Sequence, residues 1–342
     1  MAFDKMIVKK LLKKFDDVPF VVKFPDGEEF KVGEGEPQAI IRANGGIDMG
    51  AVMKSPSLAL GEAYMDKTLE LEKGDLFEIL NMVLAKLEDF ASDFSGLTKI
   101  MKTSTSKKNQ KQEIATHYDI GNEFFELWLD ETMSYSCGYF KHETDTLYDA
   151  QVHKVEHILK KLNLKEGQTL LDIGCGWGYL LIAAAKKYHV KGVGITLSEE
   201  QYKKGQERIK AEGLEGQVEI RLMDYRDLEK SGMTFDRIVS VGMLEHVSRD
   251  NYPLFFKNID KVLNKKGIVL LHYISGRQEH DGDPWIKKYI FPGGIIPSLR
   301  EIIYLIGEYN YYTLDVESLR RHYEKTLLEW SKNYAAKRDV ID

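Results

Sequence analysis

Three groups of residues in this 342-residue chain have types and spacings that could do chemistry. The densest is Thr169-Leu-Leu-Asp-Ile-Gly-Cys-Gly-Trp-Gly178, an apolar run that breaks into glycines at Gly174, Gly176 and Gly178. Glycine lets the backbone bend sharply and approach a ligand that a Cβ would push away, and a helix starting behind it offers unpaired N–H groups. A nucleotide suits that arrangement. The dinucleotide fingerprint is excluded, because its third glycine would stand at Tyr179 and the second strand, Lys191–Ser198, ends without an acid. Thr196, Leu197 and Gln201 occupy the place where that acid is usual, and Ser198 there is a natural helix cap. Asp224-Tyr225 can offer a carboxylate to an adenine amino group and an aromatic face to its ring. The third group is Glu245-His246 together with His272, which lies inside the apolar run Ile268–Ile274. A histidine in a core strand is usually a satisfied structural residue. Its place at the carboxyl end of the run, beside Glu245 on the neighbouring strand, points instead to function. His153 and His157 read as a solvated helix face, since H-K-V-E-H is not the zinc-protease order. Cys137 has no histidine placed beside it by sequence and reads as a packed thiol.

Positioning these residues takes a regular alternation of elements. Leu170–Ile173 reads as a strand and Tyr179–Lys187 as the helix after the glycine turn. Strands at Lys191–Leu197, Val218–Leu222, Phe235–Val241 and Ile268–Ile274 follow, with helices from Ser198 and over Tyr252–Leu263. A long helix, Thr146–Leu162, delivers the chain to the glycine strand. This pitch predicts an α/β fold, a parallel sheet covered on both faces, with ligands beyond the carboxyl ends of the strands. Ahead of it, Phe3–Phe15 is an amphipathic helix with lysines on one face, a pattern shared by lipid-surface helices and by helices packed on their own domain. A hairpin around Pro25-Asp-Gly27, a strand at Gln38–Arg42, short elements at Leu58–Met65 and Leu69–Leu71, and a helix over Gly74–Leu87 complete a small α+β unit. Thr98–Gln112 carries five lysines and no acid, which marks a tether. The expected organisation is therefore a small association or lipid-binding domain at 1–98, a lysine-rich linker at 99–112 and a catalytic domain at 113–342. A net charge of −6 gives no reason to expect nucleic acid as a partner. Two cysteines without C-x-x-C spacing suggest a reducing compartment, and no apolar run approaches the ~20 residues of a membrane span. A cytoplasmic protein is expected, one that can still work on a membrane surface.

The pattern D-x-G-x-G-x-G resembles the first motif of the Rossmann-like S-adenosylmethionine (AdoMet) methyltransferases. Taken with HYDIGNEFF, YSCGYF, LDIGCGWG, GITLSEEQ, DYRDL, MLEHV, DPWIKKYIFPGG and HYEKTLLEW, the chain resembles the cyclopropane-fatty-acid synthases and, more loosely, the mycolic acid cyclopropane synthases. The resemblance covers Glu113 to Trp330, and the amino-terminal unit in the phospholipid-acting bacterial members. It implies an AdoMet site at Tyr135, Ser136, Gly174, Gly176, Thr196, Leu197, Gln201, Asp224 and Tyr225. It also implies a bicarbonate ion held at Cys137, Glu245, His272, Ile274 and Tyr323, with Cys137 acting through the turn around the anion. Asp283–Gly294 matches a segment bordering the acyl pocket. The implied reaction transfers a methylene from AdoMet to a cis double bond of an unsaturated phospholipid acyl chain, with the anion as general base, at the inner face of the membrane. Phe124, Phe125, Phe140, Trp285, Tyr289 and Phe291 are candidates for an apolar lining. The family usually continues past HYEKTLLEW with further helix and a last apolar strand, whereas Ser331–Asp342 here is polar. An unpaired sheet edge is expected in consequence, covered by a second copy or by a complementing carboxyl-terminal segment. Other outcomes of the same fold are methylation without ring closure, or lipid binding without chemistry.

Overall fold

The computed structural model describes residues 2–16, 18–81 and 121–341. The lysine-rich linker and the later part of the helix expected over Gly74–Leu87 lie outside the described residues. Two compact units form, one from Met1–Met101 with Asp283–Tyr289, the other from Lys102–Gly282 with Ile290–Asp342.

The first unit has a four-stranded sheet of β1 (Phe20–Lys23), β2 (Glu29–Val32), β3 (Ala39–Ala43) and β4 (Leu69–Lys73), in the order β2-β1-β3-β4. β1 and β2 are the expected hairpin, with Gly27 at φ +84° in its turn, where a side chain would be strained. Phe20, Val22 and Val32 form its small core. The basic helix α1 (Ala2–Leu12) uses two of its lysines locally: Lys5 pairs with Asp26 and Glu28 of the hairpin, and Lys9 with Glu28. Both also sit over the Phe24 ring. Lys10, Lys13 and Met6 remain exposed. Helices α2 (Met49–Lys54) and α3 (Pro56–Met65) follow β3. A short helix from far along the chain, Pro284–Tyr289, belongs to this unit. The Asp283 carboxylate caps it by accepting from the Trp285 and Ile286 N–H groups. The Trp285 ring fills the space over Gly61 of α3, where a Cβ would lie 2.4 Å from the indole Cδ1. Tyr289 donates its hydroxyl to Glu62 at 2.8 Å.

The second unit is a five-stranded parallel sheet, β5 (Thr169–Ile173), β6 (Lys191–Thr196), β7 (Val218–Leu222), β8 (Phe235–Val241) and β9 (Leu263–His272), in the order β7-β6-β5-β8-β9. β5 is central because, Asp172 apart, its buried residues are apolar on both faces. Leu170 packs with Leu162, Leu181 and Val239 on one side, Leu171 and Ile173 with Phe255 and Ile259 on the other. A short helix α4 (Asn122–Glu126) opens the described part of this unit, and α5 (Leu147–Lys161) leads into β5. A capping box fixes the start of α5: Thr146 Oγ accepts from the Asp149 N–H while the Asp149 carboxylate accepts from the Thr146 N–H. α6 (Tyr179–Tyr188) leaves the glycine turn, and α7 (Glu199–Ala211) is capped by Ser198. α8 (Tyr252–Val262) buries Phe255, Phe256, Ile259 and Val262, each worth about 1.5–3 kcal/mol when removed from water. After β9 come α9 (Leu299–Glu308) and α10 (Arg320–Ala336). β9 starts at Leu263, earlier than its apolar run, and among the described residues it pairs only with β8. Among the described residues no antiparallel strand completes the sheet, and Ile268, Val269, Leu270 and Leu271 are only half-buried. No helix among the described residues is long and apolar enough to cross a membrane.

Candidate active site

The carboxyl ends of β5, β6, β7 and β8 surround one cavity. Tyr135, Ser136, Gly174, Gly176, Thr196, Leu197, Gln201 and Tyr225 line it, joined by Lys154, Asp172, Trp177, Met243 and His246. Gly174 and Gly176 both have positive φ, +80° and +54°. A Cβ on Gly174 would come within 2.8 Å of Met243, while one on Gly176 would meet nothing within 4 Å. The first glycine lets Met243 close the wall; the second leaves the loop open to a ligand. Thr196 Oγ1 donates to Gln201 Oε1 at 2.8 Å, which fixes which end of the Gln201 amide meets the strand. Asp172 Oδ1 and the Tyr225 hydroxyl are buried without a partner among the described residues. Buried polar atoms of this kind require a ligand or water, so the wall fits a nucleotide. Burial raises the Asp172 carboxyl to about 7, with the Lys154 ammonium opposing the shift.

Asp224 stands apart from its expected companions. Its carboxylate receives the Arg226 backbone N–H and Nε at 2.9 Å and Nη2 at 2.6 Å, so little acceptor capacity is left for an adenine amino group. Tyr135 is held in an aromatic cluster with Phe125, Trp128 and Trp330, and Phe291 stacks on it at 6.1 Å. Burial raises the Tyr135 hydroxyl to about 12. Phe291 also meets His246 edge-on. Phe125 and Phe140 are buried, whereas Trp285 and Tyr289 serve the first unit.

A second constellation gathers at the ends of β8 and β9. Val241 and His272 are register partners, and the Gly242 N–H donates to the His272 carbonyl at 2.8 Å. The short turn Leu244–His246 then carries Glu245 back, so that its Oε1 accepts from the Ile274 N–H at 2.7 Å. Glu245 Oε2 and His272 Nδ1 are both buried and without a protein partner. Burial raises Glu245 to about 7, and the Ile274 N–H opposes that shift. Burial lowers His272 to about 4, helped by the cations Lys154 and Lys161, so the imidazole is neutral at physiological pH. Tyr323 arrives from α10, its ionisation disfavoured by burial first and then by Tyr135, Glu245 and Cys137. The turn at Cys137 is fastened to the same helix: the Gly138 N–H donates to Thr326 Oγ1 at 2.9 Å and the Phe140 N–H to His322 Nδ1 at 3.1 Å. Burial raises the Cys137 thiol to about 11, which makes it a poor nucleophile. No cluster of histidine, cysteine and carboxylate suited to a metal occurs among the described residues.

Sequence reasoning passed over Lys154, Trp177 and Met243. Lys154 had a readable signal, since it falls on the stripe of Leu147, Ala150, Gln151, Val155 and Ile158 that α5 buries. A lysine on an apolar stripe is either paired or functional. Trp177, inside the glycine motif, donates its indole N–H to Asn122 Oδ1 at 2.6 Å and so joins α4 to the cavity wall. Nothing in the sequence marks Met243, whose place in the wall comes from its fit against Gly174.

The parallel sheet, the glycine loop and the unpartnered polar atoms around it define a Rossmann-like AdoMet-dependent methyltransferase. The family model described as "Mycolic acid cyclopropane synthetase" matches residues 105–342, and the chain belongs to that family. A domain of unknown function matches residues 7–95. The chain is 40% identical over 323 residues to a protein of Pseudomonas putida described as "Probable fatty acid methyltransferase", covering 92% of this chain and 81% of that one. It is 41% identical over 308 residues to the cyclopropane-fatty-acyl-phospholipid synthase of Escherichia coli K12, covering 88% and 78%. Among solved structures, a mycolic acid cyclopropane synthase complexed with SAH and CTAB superposes with a TM-score of 0.62 at 35% identity, over 67% of this chain and 84% of that one.

Proposed function

We propose that the protein converts a cis double bond in an unsaturated phospholipid acyl chain to a cyclopropane ring, releasing S-adenosylhomocysteine, with bicarbonate as the base. The observation that carries this reading is the pair of buried, unpartnered atoms, Glu245 Oε2 and His272 Nδ1, at the strand ends next to the nucleotide cavity. A small planar anion with one hydroxyl fits them. A neutral His272 with its proton on Nδ1 would donate to such an anion, the Tyr323 hydroxyl would donate a second bond, and Glu245 would accept the hydroxyl proton. AdoMet supplies an electrophilic methyl, and bound bicarbonate would supply the base that removes a proton as the ring closes. The residues around them must hold the acyl chain dry, because an alkyl cation is trapped by water. Phe291, Tyr135 and the aromatic cluster beside them provide such a wall.

The 40% identity to a protein described as a fatty acid methyltransferase supports a second reading, methylation without ring closure. The exposed Met6 and Lys10 of α1, with Lys13 just after it, support work at an anionic membrane surface, on its cytoplasmic face. Incubation with labelled AdoMet and unsaturated phospholipid vesicles, followed by mass spectrometry of the fatty acids, separates these readings. A cyclopropane acyl product is expected. A saturated methyl-branched or a methylene product would favour the second reading, and no transfer to lipid would overturn both.

A further inference from the structure

The chemistry above leaves one buried charge unused. Lys154 is 4% exposed and lies in the cavity wall. Its Nζ donates to Ser136 Oγ at 2.8 Å, and it forms no ion pair among the described residues. The Ser136 end of that contact is rigid, since Gln151, one helical turn away, donates to the Ser134 and Ser136 carbonyls at 3.2 and 2.8 Å. Burial lowers the ammonium to about 8, against the opposing influence of Asp130, Cys137 and Asp172, so it is charged at neutral pH. An ammonium has three donors, and a buried one without an anion is costly. In the same wall Asp172 presents a buried Oδ1 with no partner. The cavity therefore has a fixed cation with donors to spare and a carboxylate with an acceptor to spare. That is the complement of an amino-acid zwitterion. Thr196 and Gln201 line the cavity from the end of β6 and Tyr225 from beyond β7, whereas Asp172 lines it from the carboxyl end of β5 together with Ser136 and Lys154. We therefore assign the nucleoside to the first group and the aminoacyl end to the second.

We propose that Lys154 is a positioning residue that, with Ser136, fixes the carboxylate of the aminoacyl end of AdoMet, while Asp172 receives its ammonium group. The protein then selects donors that retain their carboxylate. This rests on the AdoMet assignment, and the experiment separates the two. Calorimetry on the full chain would compare S-adenosylhomocysteine, its decarboxylated analogue and methylthioadenosine, which lacks the aminoacyl group. The wild type should prefer S-adenosylhomocysteine to the decarboxylated analogue. Lys154→Met should weaken S-adenosylhomocysteine by about 10- to 100-fold, the range for losing a hydrogen bond to a charged group, and leave the other two ligands nearly unchanged. Lys154→Arg should retain part of the preference. Equal weakening of all three ligands, or none of any, would make Lys154 a packing residue and overturn the proposal. Should Lys154→Met not fold, Ser136→Ala decides: an undiminished preference for the carboxylate overturns the proposal. Wild type that binds methylthioadenosine without favouring S-adenosylhomocysteine defeats the carboxylate site alone, and wild type that binds none of the three defeats the AdoMet assignment itself.

Discussion

Glu245 and His272 have opposite pKa shifts from the same cause, burial, which raises the carboxyl to about 7 and lowers the imidazole to about 4. Burial disfavours charge on both, yet the carboxyl, raised only to about 7, still ionises near neutral pH, whereas the imidazole stays neutral there. In Glu245→Gln and His272→Ala, turnover should fall by roughly the 10²–10⁴ typical of losing general-base function, while AdoMet binding changes far less. Parallel loss of binding and turnover would make both residues cofactor contacts or core. Restoring bicarbonate to a depleted preparation should stimulate the wild type more than either variant. The Glu245 shift also has a consequence for stability. A carboxyl raised from 4.5 to about 7 binds its proton more tightly in the folded state, so its burial costs nothing at low pH and more as pH climbs. Between pH 4.5 and 7 the wild type should therefore lose stability relative to Glu245→Gln, by ~1.4 kcal/mol per pH unit at most. Paired urea melts across that range would reveal a constant difference if the carboxyl were already ionised in the fold.

Helix starts and strand edges govern how well the site is held. α5 carries Gln151 and Lys154 beneath the Tyr135–Cys137 turn, and its register depends on the Thr146–Asp149 capping box. Thr146→Ala should cost about 1 kcal/mol in a denaturant titration. No measurable cost would mean that packing, not the cap, sets where the helix begins. β9 is the opposite case, a strand whose apolar residues are paired on one side only. We propose that this edge is covered in solution by a second copy or by another segment, because exposed edges with apolar faces recruit further strands. Light scattering of the purified chain is the check, and a stable monodisperse monomer would count against the idea.

At the scale of the whole molecule, the first unit has no catalytic constellation of its own among its described residues. Two of its lysines are held at the Asp26–Glu28 turn, which leaves Lys10 of α1 and Lys13 just after it exposed. Reversing both charges, Lys10→Glu with Lys13→Glu, should reduce co-sedimentation with anionic phospholipid vesicles, by more at low salt than at high salt. S-adenosylhomocysteine affinity should be unaltered, since the nucleotide cavity is built wholly within the second unit. Unchanged vesicle binding would assign α1 to packing alone.

Local signals carried most of the architecture. The apolar run before Gly174, the glycine spacing and the strand–helix pitch require a parallel sheet with its ligand at the carboxyl ends, because those patterns depend only on neighbouring residues. The Asp-Gly turn and the Ser198 cap were legible for the same reason. Other features depend on side chains meeting across large separations in sequence. The seat of Trp285 over Gly61 and the closure of Met243 on Gly174 are matters of shape, which periodicity does not encode. Lys154 shows where the two meet: its helical spacing foretold burial, but only the tertiary structure could set Ser136 and Asp172 beside the cavity it lines. Which polar atoms a fold leaves without partners is decided last, after every segment has taken its place.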